Sequence, residues 1–418
     1  MASATTCLEE PKPALATAFR RPALLPLFAL LALPALFAPV AAQAQKTDSP
    51  PPQKKDALAF GRAEHLRLGV NLNRWFAAEK NNPDQRRRNN ITGDDLRLIR
   101  DLGFDHVRLP VDPLRLYAWQ RKDAAGTAYI GEIDWIAKEA NRLGLAFILD
   151  AHPSDEFNKK LPQGGASGES LKNFAALWEA LAAHFAHTDP RLVFFEILNE
   201  PHQPDQDFNW NMHKLIAGKI RAAAPNHTII ASPGSRKADI SGLLDIGELL
   251  PFSNIIYTFH NYRPEVFTHQ GANWTTWMPF MEFHYLPYPS TPQNVVKAVG
   301  QAGTAKAKAL VKQYGEERWD GRRIEREVFA PGEEWSERNG VPVYVGEFGV
   351  LNVCVDPAMR AQCIRDMRVA MQKHKLGGAM WAYQSDFGLV KKDGRGGKPV
   401  ADPAIVKALG LAMPPEPR

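Results

Sequence analysis

Cysteine is scarce in this chain, with 3 in 418 residues. Cys7 lies in an N-terminal segment that reads as removable, which leaves Cys354 and Cys363. Those two either bridge locally, as an oxidising compartment allows, or stand as two buried thiols. Metal-ligand spacing such as H-E-x-x-H is absent, so no metal or other cofactor is expected. Long runs of one charge are missing as well. The net charge is +5, but the one basic run, "QRRRNN" at 85–90, is short, and elsewhere bases alternate with acids on helical faces. That pattern is a solvated surface and excludes nucleic acid as the partner. There is no internal sequence repeat and no linker to a second domain. What is present is 44% hydrophobic and 10% aromatic content, enough to bury one large core.

The N-terminus stands apart from that core. "FRRPALLPLFALLALPALFAPVAAQAQ" carries two arginines, an uncharged apolar stretch interrupted by Pro26, Pro34 and Pro39, and then Ala42-Gln43-Ala44. These are the parts of a secretory signal peptide, here residues 1–44, cleaved after Ala44. The alternative is an uncleaved anchor, since the stretch approaches the ~20 residues that span a bilayer. Residues 45–62 read as a Pro-rich, charged linker, and 63–412 as the folded domain. A secreted or periplasmic location, with no stable membrane insertion after processing, is the expectation.

From residue 66 the pattern is rhythmic. Apolar or β-branched runs occur at 67–73, 106–111, 145–152, 192–200, 227–233, 255–262, 341–349 and 378–384, and each is predicted to be a strand. Amphipathic stretches lie between them, among them 92–103, 132–144, 170–186 and 357–375. The first opens on a Thr and both of the first two close on Gly. Strands alternating with helices imply parallel pairing with right-handed crossovers, and eight such units predict a single (β/α)8 barrel. Only the connection from Tyr262 to Val341 is too long, and an excess of that kind carries function more often than not. Within it, Phe267, Trp274 and Trp277 either offer flat faces to a ligand or pack the loop against the barrel.

A barrel of this type builds its site at the C-terminal ends of its strands. Those ends carry Asn73, Arg108, His152, Asn199 with Glu200, His260 with Tyr262, Glu347, and Trp381. Singly, each has a bland explanation, such as a surface ion pair or core packing. Together at one end, they describe a funnel with two carboxylates, Glu200 and Glu347, among aromatic and amide groups. Two carboxylates so placed suit glycoside hydrolysis, in which one protonates the leaving oxygen and the other attacks or activates water. Glu196 shares a strand face with Glu200, but four residues at ~3.3 Å each sink it ~13 Å into the barrel, so it reads as a structural acid.

The motifs "GVNLNRW", "HVRLPV", "LDAHPS", "FEILNEP", "FHNY", "YVGEFG" and "MWAYQSDFG", in this order over residues 65–390, resemble glycoside hydrolase family 5, the cellulase family. The resemblance implies Glu200 as acid/base and Glu347 as nucleophile. It implies Asn199 on the sugar 2-hydroxyl, Arg108 and Tyr262 holding Glu347, His260 beside Glu200, His152 on sugar hydroxyls and Trp381 under the ring. It also implies a cis peptide after Trp381. The sequence departs from the family at Pro153-Ser154, where many members place a further His or aromatic, and this leaves the sugar preference open. The expected function is a retaining endo-β-glucanase without cofactor, acting as a monomer on a β-glycan. Mannan, β-1,3-glucan, an exopolysaccharide of the cell itself, or glycan binding without catalysis are the alternatives.

Overall fold

The computed structural model describes residues 54–73, 76, 91–201, 205–233, 238–274, 278–392 and 397–415. The expected signal peptide therefore lies outside the described residues, as do Trp277 and the first half of the linker, residues 45–53. Among the described residues, no helix is long and apolar enough to cross a membrane.

All eight predicted strands form, as β1 (Gly69–Asn71), β2 (His106–Val111), β3 (Ala146–Ala151), β4 (Val193–Glu196), β5 (Thr228–Ala231), β6 (Ile255–Asn261), β7 (Val343–Phe348) and β8 (Gly377–Met380). They close in sequence order into a parallel barrel, β8 returning to β1. The fold is a (β/α)8 barrel. Parallel strands bury both faces, which is why each run is apolar nearly throughout. The two faces feed different cores. Ile148, Phe194, Ile230, Ile256, Tyr344 and Ala379 form the cluster that fills the barrel. Val107, Phe147, Val193, Phe195, Ile229 and Val345 belong to the larger cluster outside it, with the helices.

Helix ends follow their sequence cues. Thr92 and Asp95 form a reciprocal capping box for Gly93–Leu102, and Gly103 ends that helix at φ 97°. The second helix begins earlier than its apolar period indicates, at Ala124, because the Asp123 side chain caps it. The last part of the segment read as linker holds a helix, Ala57–Ala63, capped by Asp56. Asp56 also ties this helix to the barrel, accepting from the backbone N–H of Asn254 at 2.6 Å.

The long β6–β7 connection is mostly helical: Val296–Gln301, Ala305–Glu317 and a run from Gly321 to Asn339 that includes a π-helical turn at Glu325–Phe329. Phe267 is fully buried against Tyr288, so it packs the loop rather than facing a ligand. Cys354 and Cys363 do not bridge, because Cys363 is a free buried thiol. Their directions explain it: Cys354 packs on Gly271, whereas Cys363 sits on the inner face of Pro357–Lys373, beside Tyr288.

The barrel is irregular at β7. Along β6 and β7, Val345 pairs with Phe259 but Glu347 pairs with His260, so β7 has one extra residue at Gly346. Such a bulge re-aims the side chains beyond it. Tyr344 faces into the barrel, so strict alternation would turn Glu347 outward with Val345. The bulge turns Glu347 inward and sends Phe348 to the outer core. Glycine is required there: a Cβ on Gly346 would lie 2.7 Å from His260 Nε2 and 2.9 Å from Thr258 Oγ1.

Candidate active site

Arg108 organises the floor of the site. Its guanidinium has five N–H donors, and each has an acceptor. Nε and Nη2 grip the two oxygens of Glu196 at 2.7 and 2.8 Å. Nη2 also donates to Asn199 Oδ1 at 2.8 Å. Nη1 donates to Asn71 Oδ1 at 2.8 Å and to Glu347 Oε1 at 3.0 Å. Asp150 adds a third carboxylate, with Oδ2 3.0 Å from Nη2. Arg108, Asp150 and Glu196 are wholly shielded from solvent. Burial alone would lower the Arg108 pKa, but Asp150, Glu196 and Glu347 together raise it well above the usual arginine value. Burial pushes Glu196 up, against the pull of Arg108. Glu196 is thus a buried partner of Arg108, deeper in the barrel than Glu200.

Glu347 stands above that floor. Arg108 donates to one of its oxygens and the Tyr262 hydroxyl to the other, at 2.7 Å. Burial, then the charge of Glu347, raises the Tyr262 pKa well above 10.0, so its hydroxyl keeps its proton and remains a donor. His260 joins the two strand-end glutamates: its Nδ1 is 2.7 Å from Glu200 Oε1 and 3.7 Å from Glu347 Oε2. Burial works to lower the His260 pKa, but Glu347 and Glu200 outweigh it and raise it. One carboxylate oxygen of each glutamate and this ring nitrogen lie within 4.8 Å of one another. Glu200 is reached through a left-handed residue, φ 39°, just past β4. A non-glycine residue in that region is uncommon and is often found where a side chain must be aimed.

His152 and Trp381 stand side by side. Their rings stack at 5.7 Å with an interplanar angle of 17°. His152 Nδ1 is 2.9 Å from Asp150, and its Nε2 is 3.5 Å from Asn199 Nδ2. The peptide after Trp381 is cis, as the family resemblance implies. Trp274 is 56% exposed and belongs to a cluster with His269 and Phe387, which both pack on Tyr262. Seven expected residues, Arg108, Asn199, Glu200, His152, His260, Tyr262 and Glu347, are joined by direct polar contacts, with Trp381 stacked on His152 and Trp274 at the rim. Asn73 is at the same end but outside that network, donating to Ser385 at 2.8 Å.

Sequence reasoning missed Asn71 and Asp150. Each lies two residues before a strand-end position already singled out, Asn73 and His152, and so on the same face of its strand. Period-2 counting back from the strand ends would have found both.

A closed eight-stranded parallel barrel with two glutamates, an arginine, amides and aromatics at its C-terminal mouth belongs to the class of barrel glycosidases. The cellulase model, glycosyl hydrolase family 5, matches residues 73–386, and this chain belongs to that family. It is therefore a glycoside hydrolase. Endoglucanase 3 of Fibrobacter succinogenes is 28% identical over 375 residues, which cover 83% of this chain. This chain spans only 53% of that relative's length. Endoglucanase C of Acetivibrio thermocellus is 25% identical over 78% of this chain and 94% of its own. Among solved structures, endoglucanase Cel5A of Thermotoga maritima superposes with a TM-score of 0.63 over 84% of this chain and 99% of its own, at 24% identity.

Proposed function

We propose that the protein is a retaining endo-β-glucanase, with Glu200 as acid/base and Glu347 as nucleophile. The observation that carries this reading is the placement of an oxygen of each glutamate within 4.8 Å of the other. A retaining pair stands ~5–5.5 Å apart, close enough for direct attack, whereas an inverting pair leaves ~6.5–9.5 Å for a water. Relatives named endoglucanase support a β-glucan as substrate.

The chemistry is built from these contacts. Glu347, held by Arg108 and Tyr262 and aimed inward by the bulge, attacks the anomeric carbon. Glu200, oriented by His260, gives its proton to the departing glycosidic oxygen. In the second step Glu200 takes a proton from water, which attacks the glycosyl–Glu347 ester and releases Glu347. Asn199 meets the sugar 2-hydroxyl, His152 meets hydroxyls of the same sugar, and Trp381 the ring face. Trp274 offers its exposed face to a further sugar.

No cofactor takes part in this scheme, and the protein acts as a monomer on its glycan. Export by cleavage after Ala44 would give a mature chain beginning at Gln45. N-terminal sequencing of exported protein tests it: an intact apolar segment in a membrane fraction rejects it.

The test of function is a panel of soluble β-1,4-glucan, mixed-linkage glucan, β-1,3-glucan and β-mannan, with product sizes and anomers followed by NMR. Internal cleavage of a β-1,4-linked glucan with first-formed β-anomer is expected. First-formed α-anomer rejects the retaining scheme, and cleavage of mannan alone rejects the glucanase assignment.

A further inference from the structure

Asp150 is wholly buried, and its contacts leave it short of hydrogen bonds. Its Oδ2 lies 3.0 Å from Arg108 Nη2, but the two hydrogens of that nitrogen are engaged by Glu196 and Asn199. Its Oδ1 is buried with no partner. The remaining donor is His152 Nδ1, at 2.9 Å from Oδ2. A buried carboxylate with one hydrogen-bond donor depends on that donor: the nearby Arg108 balances the charge, but losing the donor leaves both oxygens without a hydrogen bond in a low dielectric. The proton of the His152 ring therefore belongs on Nδ1.

The Asn199 amide fixes the other side of the ring. Arg108 donates to Asn199 Oδ1 at 2.8 Å, which settles the flip of that amide: oxygen toward Arg108, NH2 toward His152. Asn199 Nδ2 is 3.5 Å from His152 Nε2, at the long limit of a hydrogen bond. A proton on Nε2 would set two donors face to face. With Nε2 bare, the pair is one donor and one acceptor, neither fully used. The stack on Trp381 fixes the plane in which that lone pair points.

We propose that Asp150 is a positioning residue that holds His152 as the Nδ1–H tautomer, so that His152 Nε2 and the Asn199 amide present an acceptor and a donor to a single sugar hydroxyl. That hydroxyl donates a hydrogen bond to Nε2 and accepts one from Nδ2. The site thereby selects a ring hydroxyl lying between these two atoms, and rejects a sugar whose epimeric centre moves it away. A site built to use a hydroxyl both ways discriminates strongly against its absence, since two polar groups are then left unpaired. The proposal rests on the glycosidase reading above for the identity of the ligand, but not for the tautomer.

The experiment uses the full chain labelled with 15N-histidine, with the His152 ring assigned by its loss in His152→Gln. The expected spectrum has a protonated Nδ1 and an unprotonated Nε2. A protonated Nε2 in the unaltered protein overturns the proposal, whatever the enzyme proves to hydrolyse. Asp150→Asn offers an amide N–H to Nδ1 and is expected to shift the proton to Nε2 and to lower kcat/KM at least about tenfold. On a monodeoxy series of aryl glycosides, that loss should vanish for the one substrate lacking the bridging hydroxyl. An equal loss across the whole series marks Asp150 as merely structural and overturns the proposal. If Asp150→Asn does not fold, the tautomer of the unaltered protein and His152→Gln on the same series decide. Inactivity of the unaltered enzyme on every glycan would reject the glycosidase reading instead, and leaves the spectrum readable.

Discussion

Arg108 Nη1 donates to Glu347 Oε1 at 3.0 Å, and the other four N–H groups of the same guanidinium are engaged elsewhere. The contact is therefore rigid: Arg108 cannot turn toward Glu347 without releasing Glu196, Asn199 or Asn71. The charge next to the proposed nucleophile is fixed in place by acceptors from β1 and from β4 and its end.

Arg108→Lys should consequently be far from conservative. A lysine is a point charge with three donors and cannot serve five acceptors in a plane. We expect kcat/KM to fall by at least about a hundredfold. Stability should drop by about 3–5 kcal/mol, the usual effect of breaking a buried ion pair, since Glu196 and Asp150 lose their partner. Denaturant unfolding read beside initial rates checks both. A variant of normal stability and activity rejects this account of the floor.

The two glutamates should separate kinetically. Glu347→Gln should abolish turnover on every substrate. Glu200→Gln should keep part of it on aryl glycosides whose leaving group departs without a proton, because only the first step is then relieved of its need for an acid. Equal loss in both variants on such a substrate would reverse or remove the assignment.

Gly346→Ala tests the bulge. The added methyl meets His260 Nε2 at 2.7 Å and Thr258 Oγ1 at 2.9 Å, and the ring it pushes is the one bound to Glu200. The cost in stability should be about 1–3 kcal/mol, as for overpacking generally, and the loss should fall in kcat more than KM. A variant with unchanged kcat would show that His260 is not held where the reaction needs it.

Acid should destabilise the fold through buried neutral histidines. Burial holds His213 and His269 down at about 4, against 6.5 for a free imidazole. Between those values the unfolded chain binds more protons than the folded one. Their contribution is therefore complete above pH 6.5 and is lost as pH falls toward 4. Tm measured by calorimetry should fall steadily over that window, and His213→Met should fall less steeply. Equal slopes would reject His213 as a contributor.

Much of this was legible in the chain itself, for a local reason. Continuous apolar runs of strand length separated by amphipathic, Gly-terminated helices leave little besides a parallel barrel, and a barrel displays what closes its strands. Arg108, His152, Asn199, Glu200, His260, Tyr262, Glu347 and Trp381 could thus be picked out from position alone. What the sequence could not decide are relations between strands. Alternation along "VPVYVGEFG" points Glu347 away from the site; only the pairing of β7 with β6 inserts the extra residue that turns it in. Asn71 and Asp150 became meaningful once one arginine was seen to reach both. The two cysteines, nine positions apart, gave no hint that they pack in different directions. Pattern along a chain reports burial, whereas register, bulges and shared partners are set by neighbours distant in sequence, whose positions exist only after the barrel has closed.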